Sequence, residues 1–398
     1  MIGQEHTINL GYLPLLDAAP LLLAQELGFF SEAGLKVRLS REASWANIRD
    51  KLCAGTLQGA QLLVPMLISI NLGLNRVKTA LTSSFVLNQN GNSFTVSIAL
   101  SEQLRLVNPE AMASAHTSVL TMKRLIQKRR ERGEAAFTFA VVYPYSCHNY
   151  LLRYWLAAGG IHPDHDVNLV VIPPSQMVAQ LQSGRIDGFC AGEPWGQLAA
   201  SMGSGHTLLS TWDIWHNAPE KVLAVHQDWA AQHPDTYSAL LKVLLKACRW
   251  LAETSNREDA LLLLAQPQCL GTEADFLHWG LLAGKHNFHQ HSANYPWPAH
   301  MAWLAAQMLR WSHLVPAQLS GGFLNDIFPA GIFRTICVQE GLAVPPEAAP
   351  TLVGYHAAPW QCGDVSLGAD RFIDGIRFDS SGISEYLQQF PISNLPGT

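Results

Sequence analysis

Charge is scarce in this sequence, and its apolar runs are short. Only 14% of the 398 residues are Asp, Glu, Lys or Arg, and 26 basic against 31 acidic side chains leave a formal net charge of −5. So few cations create no general field toward nucleic acid or an anionic membrane, and direct nucleic-acid binding is not expected. Apolar stretches such as 20–24 and 261–265 fall far short of the roughly 20 residues of a membrane helix, so no membrane insertion is expected. The seven cysteines are widely spaced and lack a CxxC pair, which argues against a disulfide framework. Residues 1–10 carry an acidic residue, no basic n-region and no small-residue cleavage site, so a cytoplasmic location without a signal peptide is expected. GxGxxG, Walker A, HExxH and GxSxG strings are all missing, which leaves nucleotide, zinc-protease and α/β-hydrolase chemistry without support.

What is abundant is apolar surface. A hydrophobic fraction of 48% supports a sizeable core, and the length suggests two or three domains or two lobes with an extension. Thr7 to Tyr12 alternates as a strand, Asp17 can cap a helix that carries Pro20, and a second strand is expected at 35–39. Ser44 opens a helical pattern and 59–65 reads as a buried parallel strand, which makes a doubly wound α/β unit. A second α/β block follows in the middle of the chain, and a strand beginning at Lys221 leads back. The expected division is 1–94 plus 217–398 for the first lobe, with a C-terminal extension, and 95–216 for the second.

A cleft between two such lobes, lined by strand ends and helix N-termini, suits a small anion because free backbone amides point into it. Trp45, in the first turn after Ser44, can cover a planar ligand or simply pack in the core. His148 follows a strand and opens a helix, where it can donate into a cleft or serve as a core histidine. A Cys147–His148 nucleophile is disfavoured because sequence neighbours rarely converge on one atom and no orienting group is evident. Gly192-Glu193-Pro194-Trp195 forms a rigid turn that carries a carboxylate and an indole. Lys221, entering an apolar strand, either reaches solvent or supplies one compact positive charge to a site. His278, His286, His289, His291 and His300 match no zinc spacing, so no metal is expected. Lys123, Arg124, Lys128, Arg129, Arg130 and Arg132 read as a solvated helix face, with partner docking as the alternative.

Three strings carry a resemblance: Gly11-Tyr12-Leu13-Pro14-Leu15-Leu16-Asp17, Ser44-Trp45-Ala46-Asn47-Ile48, and Gly188-Phe189-Cys190-Ala191-Gly192-Glu193-Pro194-Trp195. With them the chain resembles, over nearly its whole length, the nitrate- and bicarbonate-binding family of ABC-transporter substrate-binding proteins. The apparent lack of a leader points, within that family, to its cytoplasmic nitrate/nitrite sensors. The resemblance implies a periplasmic-binding-protein fold of type II, two α/β lobes closing on the ligand, with no cofactor and no enzymatic activity. It also implies that Trp45, His148, Pro174 and Lys221 contact the anion, and that Asn92 stands where the family typically has glutamine after Asn-Gly. Nitrate is planar, carries one negative charge and only accepts hydrogen bonds, so it needs donors and one cation. Bicarbonate-binding relatives place an acidic residue where Lys221 falls, so lysine favours nitrate or nitrite, although Glu220 stands beside it. For a sensor, the family implies that the ligand-free form sequesters an ANTAR-type (NasT-like) RNA-binding antiterminator that controls nitrate-assimilation genes. Two alternatives stand beside the sensor. One is the substrate-binding component of a nitrate or bicarbonate ABC transporter, and the other an enzyme of the pyrimidine-synthesis kind on the same fold.

Overall fold

The alternation read at the start of the chain becomes strand β1 (Ile8–Tyr12), with Ile8, Leu10 and Tyr12 all buried. The computed structural model describes residues 7–395 apart from 75, 284–285, 348–349 and 355–359. Residues 1–6, read above for a leader, lie outside the described residues. Strand β2 (Val37–Arg41) runs parallel to β1 with Ile8 opposite Val37, and β3 (Gly59–Leu63) lies parallel on the other side. Every residue of β3 is buried, as a strand covered on both faces requires. The short β4 (Leu81–Thr82) and β5 (Val86–Gln89) complete the outgoing part of this lobe.

A second sheet holds β6 (Asn92–Ser97), β7 (Thr138–Val141), β8 (Asn168–Val171), β9 (Gly188–Gly192) and β10 (Gly205–Ser210), in the spatial order β10-β6-β9-β7-β8. Strand β11 (Pro219–His226) then returns to the first sheet and pairs antiparallel with β3 and β5, in the order β2-β1-β3-β11-β4. The chain therefore passes between sheets twice, through Asn90 and Gly91 and again through residues 211–218. The expected switch after residue 94 falls inside β6, all of which pairs in the second sheet.

Helix N-termini sit where strand ends meet the cleft. Ser44 Oγ accepts from the amide of Asn47 at 3.2 Å and starts the helix Trp45–Cys53. Ser146 Oγ does the same for Asn149 at 3.1 Å and starts Cys147–Ala158. Such a cap replaces one lost backbone partner and is worth about 1 kcal/mol. Pro174 opens Pro174–Gln182, a position that needs no amide hydrogen. Asp17 departs from expectation. It lies in a short 3-10 turn (Leu16–Ala18), and the helix Ala19–Glu26 has no side-chain cap. Its carboxylate instead meets Asn88 and Lys221 of its own lobe and His286 of the C-terminal part of the chain.

The C-terminal extension touches both lobes rather than the first alone. Its helix Pro298–Arg310 packs on Val64–Leu72 of the first lobe and on Cys147–Ala158 of the second. Trp215 and Trp303 lie 4.5 Å apart, Trp303 stacks on Phe372 at 5.0 Å, and Tyr154 adjoins both. Phe372, itself part of the extension, packs on both Trp215 and Trp303. All seven cysteines are free. No helix among the described residues is long and apolar enough to cross a membrane.

Candidate functional site

The site grows from an irregularity in one strand. Neighbouring residues of a regular strand face opposite ways, but the pairing of β11 with β5 shifts register on both sides of Lys221. Glu220 and Lys221 consequently meet, with Lys221 Nζ donating to Glu220 Oε1 at 2.7 Å. Asp17 Oδ2 lies 3.1 Å from the same ammonium. All three side chains are fully buried.

The other lobe closes over this group. His148 Nδ1 reaches to 3.4 Å from Glu220 Oε1, and on the Lys221 side the indole of Trp45 lies 5.6 Å from Lys221 Nζ. Asn92 sits close to Glu220, and its amide oxygen would lie 3.4 Å from a Cβ placed on Gly192. The backbone amide of Leu16 donates to the carbonyl of Glu193 at 2.9 Å and ties the lobes beside it. The structure thus brings together Trp45, Asn92, His148 and Lys221. Pro174 instead lines a pocket of ≈ 320 Å³ between the lobes, with Leu13, Leu15, Glu42 and Trp195.

Several of these polar atoms have no hydrogen-bond partner among the described residues. They are both ring nitrogens of His148, both amide atoms of Asn92, Nε1 of Trp45 and Oε2 of Glu220. Buried polar atoms are normally paired, because each unpaired one costs about 1–3 kcal/mol. A set of them around one ammonium is what a small oxygen-rich ligand would satisfy. Trp45, His148 and Asn92 can donate, and Glu220 and the Asn92 carbonyl can accept.

The charges are strongly coupled. Desolvation presses the Asp17 carboxyl upward, but the Lys221 ammonium, with His286 beside it, outweighs it and holds it at about 2. Desolvation likewise works against the Lys221 charge, and Asp17 and Glu220 overcome it, so lysine stays an ammonium. Burial raises the Glu220 carboxyl above its usual range, with Lys221 opposing and Asp17 assisting. Burial and then Lys221 push His148 well below its usual range, so the imidazole is neutral. Burial lifts Glu193 to about 7, against bonds from Ser93 and the Gln197 amide.

Sequence reasoning passed over three contributors. Asp17 read as a helix cap. His286, from the unexplained histidine-rich stretch, places Nε2 3.4 Å from Asp17 Oδ1 and Nδ1 3.1 Å from the Gly280 carbonyl. Asn88 donates to Asp17 Oδ1 at 2.6 Å. Among the described residues no group of His, Cys, Asp and Glu is placed to hold a metal. Cys147 does not pair with His148. Its Sγ lies 3.4 Å from the Pro219 carbonyl, and burial raises its thiol well above the usual range. On the basic helix (Ala115–Glu131), Arg129 is bound to the Ala135 carbonyl and Arg130 to Asp166.

This chain is similar to several transport proteins. It is 35% identical over 98% of its length to the nitrate import ATP-binding protein NrtC of Synechocystis sp. (strain ATCC 27184 / PCC 6803 / Kazusa), covering 56% of that protein. It is 36% identical over 87% of its length to the bicarbonate transport ATP-binding protein CmpC of the same organism, covering 52% of it. The chain thus spans about half the length of both. It superposes on the crystal structure of the periplasmic nitrate-binding protein NrtA from Synechocystis PCC 6803 with a TM-score of 0.84 and 26% identity, covering 98% of this chain and 99% of that one. The two-lobed substrate-binding-protein architecture is therefore shared over the full length. Residues 3–265, most of the chain, match the profile of the NMT1-like family, and the chain belongs to that family.

Proposed function

We propose that this chain is an oxyanion receptor that holds nitrate or nitrite between its lobes and serves as the binding unit of an import system. The observation that carries this reading is the set of unpartnered donors of Trp45, Asn92 and His148 gathered around the Lys221 ammonium. Acceptor-only oxygens and a single negative charge match donors and one cation. The relatives named for nitrate import and nitrate binding support the same ligand class. Glu220 favours bicarbonate as a second ligand, since its carboxylate can accept from a hydroxyl that nitrate lacks.

Isothermal titration with nitrate, nitrite and bicarbonate in chloride-matched buffer tests the reading. Saturable binding that is lost in Lys221→Ala is the expected outcome. Folded protein that binds none of these anions would sink it. The sensor role, with a cytoplasmic location and an ANTAR-type partner, is the finer alternative to import. Release of such a partner by nitrate would put the sensor first, and transfer of nitrate to a membrane permease would put import first.

A further inference from the structure

The charges around Lys221 do not balance once a ligand arrives. One ammonium faces two carboxylates, Asp17 at 3.1 Å and Glu220 at 2.7 Å, in a group sealed from water. An ionised Glu220 would set an acceptor against an anion that itself only accepts, with no proton between them, whereas an anion with a hydroxyl brings that proton along. We propose that capture of a hydrogen-free oxyanion such as nitrate takes up one proton, carried on the Glu220 carboxyl, and that ionised Glu220 selects an oxyanion with its own hydroxyl. The proposal rests on the receptor reading above and adds a residue that sets specificity.

Geometry singles out Glu220 as the seat of the proton. Asp17 is held by the Lys221 ammonium at 3.1 Å and by a hydrogen bond from Asn88 at 2.6 Å, both of which favour its ionised form, and His286 Nε2 lies 3.4 Å away. Glu220 uses Oε1 for Lys221, with neutral His148 Nδ1 3.4 Å from it, while Oε2 has no hydrogen-bond partner among the described residues. Protonated there, the carboxyl becomes a donor for an anion that only accepts. Ionised, it becomes an acceptor, which bicarbonate can meet with its O–H. The remaining groups around it do not compete. Its own strand offers Lys221, the turn Leu16–Ala18 offers Asp17, β6 the uncharged Asn92, β9 Cys190, and the helix Cys147–Ala158 both His148 and Cys147. Burial keeps both of those thiols protonated, and burial with Lys221 keeps His148 neutral. The step is a simple addition in which a buffer proton joins one carboxylate oxygen as the anion binds, and no bond within the anion changes.

Calorimetry of nitrate binding in buffers of different ionisation heat, from neutral to alkaline pH, counts the protons. The full chain should take up one proton per nitrate on the alkaline side, where Kd rises about tenfold per pH unit. Bicarbonate should bind with no proton uptake. Glu220→Gln should abolish the uptake and flatten the nitrate profile while weakening bicarbonate. Should that variant fail to fold, the wild-type count decides alone, and His148→Gln should retain one proton per bound nitrate. Nitrate binding with no proton uptake overturns the proposal, as does uptake that persists in Glu220→Gln, which would put the proton on an imidazole. Folded protein that binds no anion at any pH overturns the receptor reading, and this proposal with it.

Discussion

Replacing Lys221 by methionine keeps most of the stem and removes only the ammonium, which makes it a direct test of the buried charge group. The lysine sits 2.7 Å from Glu220 and 3.1 Å from Asp17, with no exposed surface on any of the three. Removing one partner of such a pair leaves a charge buried without its counter-ion, a loss of about 3–5 kcal/mol. Asp17 supplies an independent bound. Its carboxyl is depressed from 3.8 to about 2, a linkage worth about 2 kcal/mol. A depressed carboxyl lends stability above its unfolded pKa and loses it as pH falls through the folded value. The methionine variant should therefore lose most at neutral pH and much less in acid. At about 2 °C per kcal/mol for a chain of this size, Tm should fall by about 6–10 °C at neutral pH. The double variant Asp17→Asn/Lys221→Met should recover more than half of that loss, because no unpaired carboxylate remains at Asp17. Differential scanning calorimetry at neutral and acidic pH reads all of this. A single variant that melts with the wild type at neutral pH would refute the ion-paired site.

Glu193, raised to about 7 by burial, contributes stability that is complete below its unfolded pKa and lost as pH rises through 7. Melting should therefore weaken by about 3 kcal/mol from mildly acidic to alkaline pH, and Glu193→Gln should flatten that profile. Gly91 has φ +99°, and a Cβ there would lie 2.0 Å from His286 Nε2. Gly91→Ala should destabilise by more than about 1 kcal/mol and move His286 off Asp17, read as a lower Tm and a changed imidazole signal in NMR. A Cβ on Gly192 would sit 2.7 Å from Asp17 Oδ2 of the opposite lobe. Gly192→Ala should therefore weaken nitrate binding at least about tenfold, or about 1.4 kcal/mol, by propping the lobes apart. Unchanged affinity by calorimetry would show that closure does not bring those atoms together.

Much of the frame was legible because it follows from local patterns. Ser44 and Ser146 announce the helices that position Trp45 and His148, and both hydroxyls do accept the amide three residues on. The buried run at β3 and the return strand at Lys221 also lie where apolar patterning put them. What stayed hidden depends on contacts across long sequence separations. Asp17 looks like a helix cap because local rules see only its neighbours, whereas its partners Asn88, Lys221 and His286 arrive from distant segments. Glu220 stands beside Lys221, and regular strand periodicity turns one of two neighbours away. The register shifts in β11 bring both in, and no residue-type pattern announces them. The late aromatics gave no hint that Trp303 and Phe372 would join the extension to both lobes.

The buried charge group also explains why ligand binding and lobe closure belong together. In the closed arrangement the polar atoms of Trp45, Asn92, His148 and Glu220 are removed from water without protein partners, each at a cost of about 1–3 kcal/mol. Opening the lobes returns those costs by letting water reach the atoms, so closure is opposed until something polar fills the same hydrogen bonds. Moving a two-state equilibrium from 1:99 to 99:1 takes about 5.5 kcal/mol of differential affinity. A few satisfied groups supply that amount, and they are satisfied together only when both lobes are in place. Trp45 and Lys221 belong to one lobe and Asn92 and His148 to the other. An anion that engages a single lobe gains too little to hold it shut. On the receptor reading proposed above, selectivity and closure draw on the same few atoms, and an anion whose protons do not match Glu220 would forfeit both.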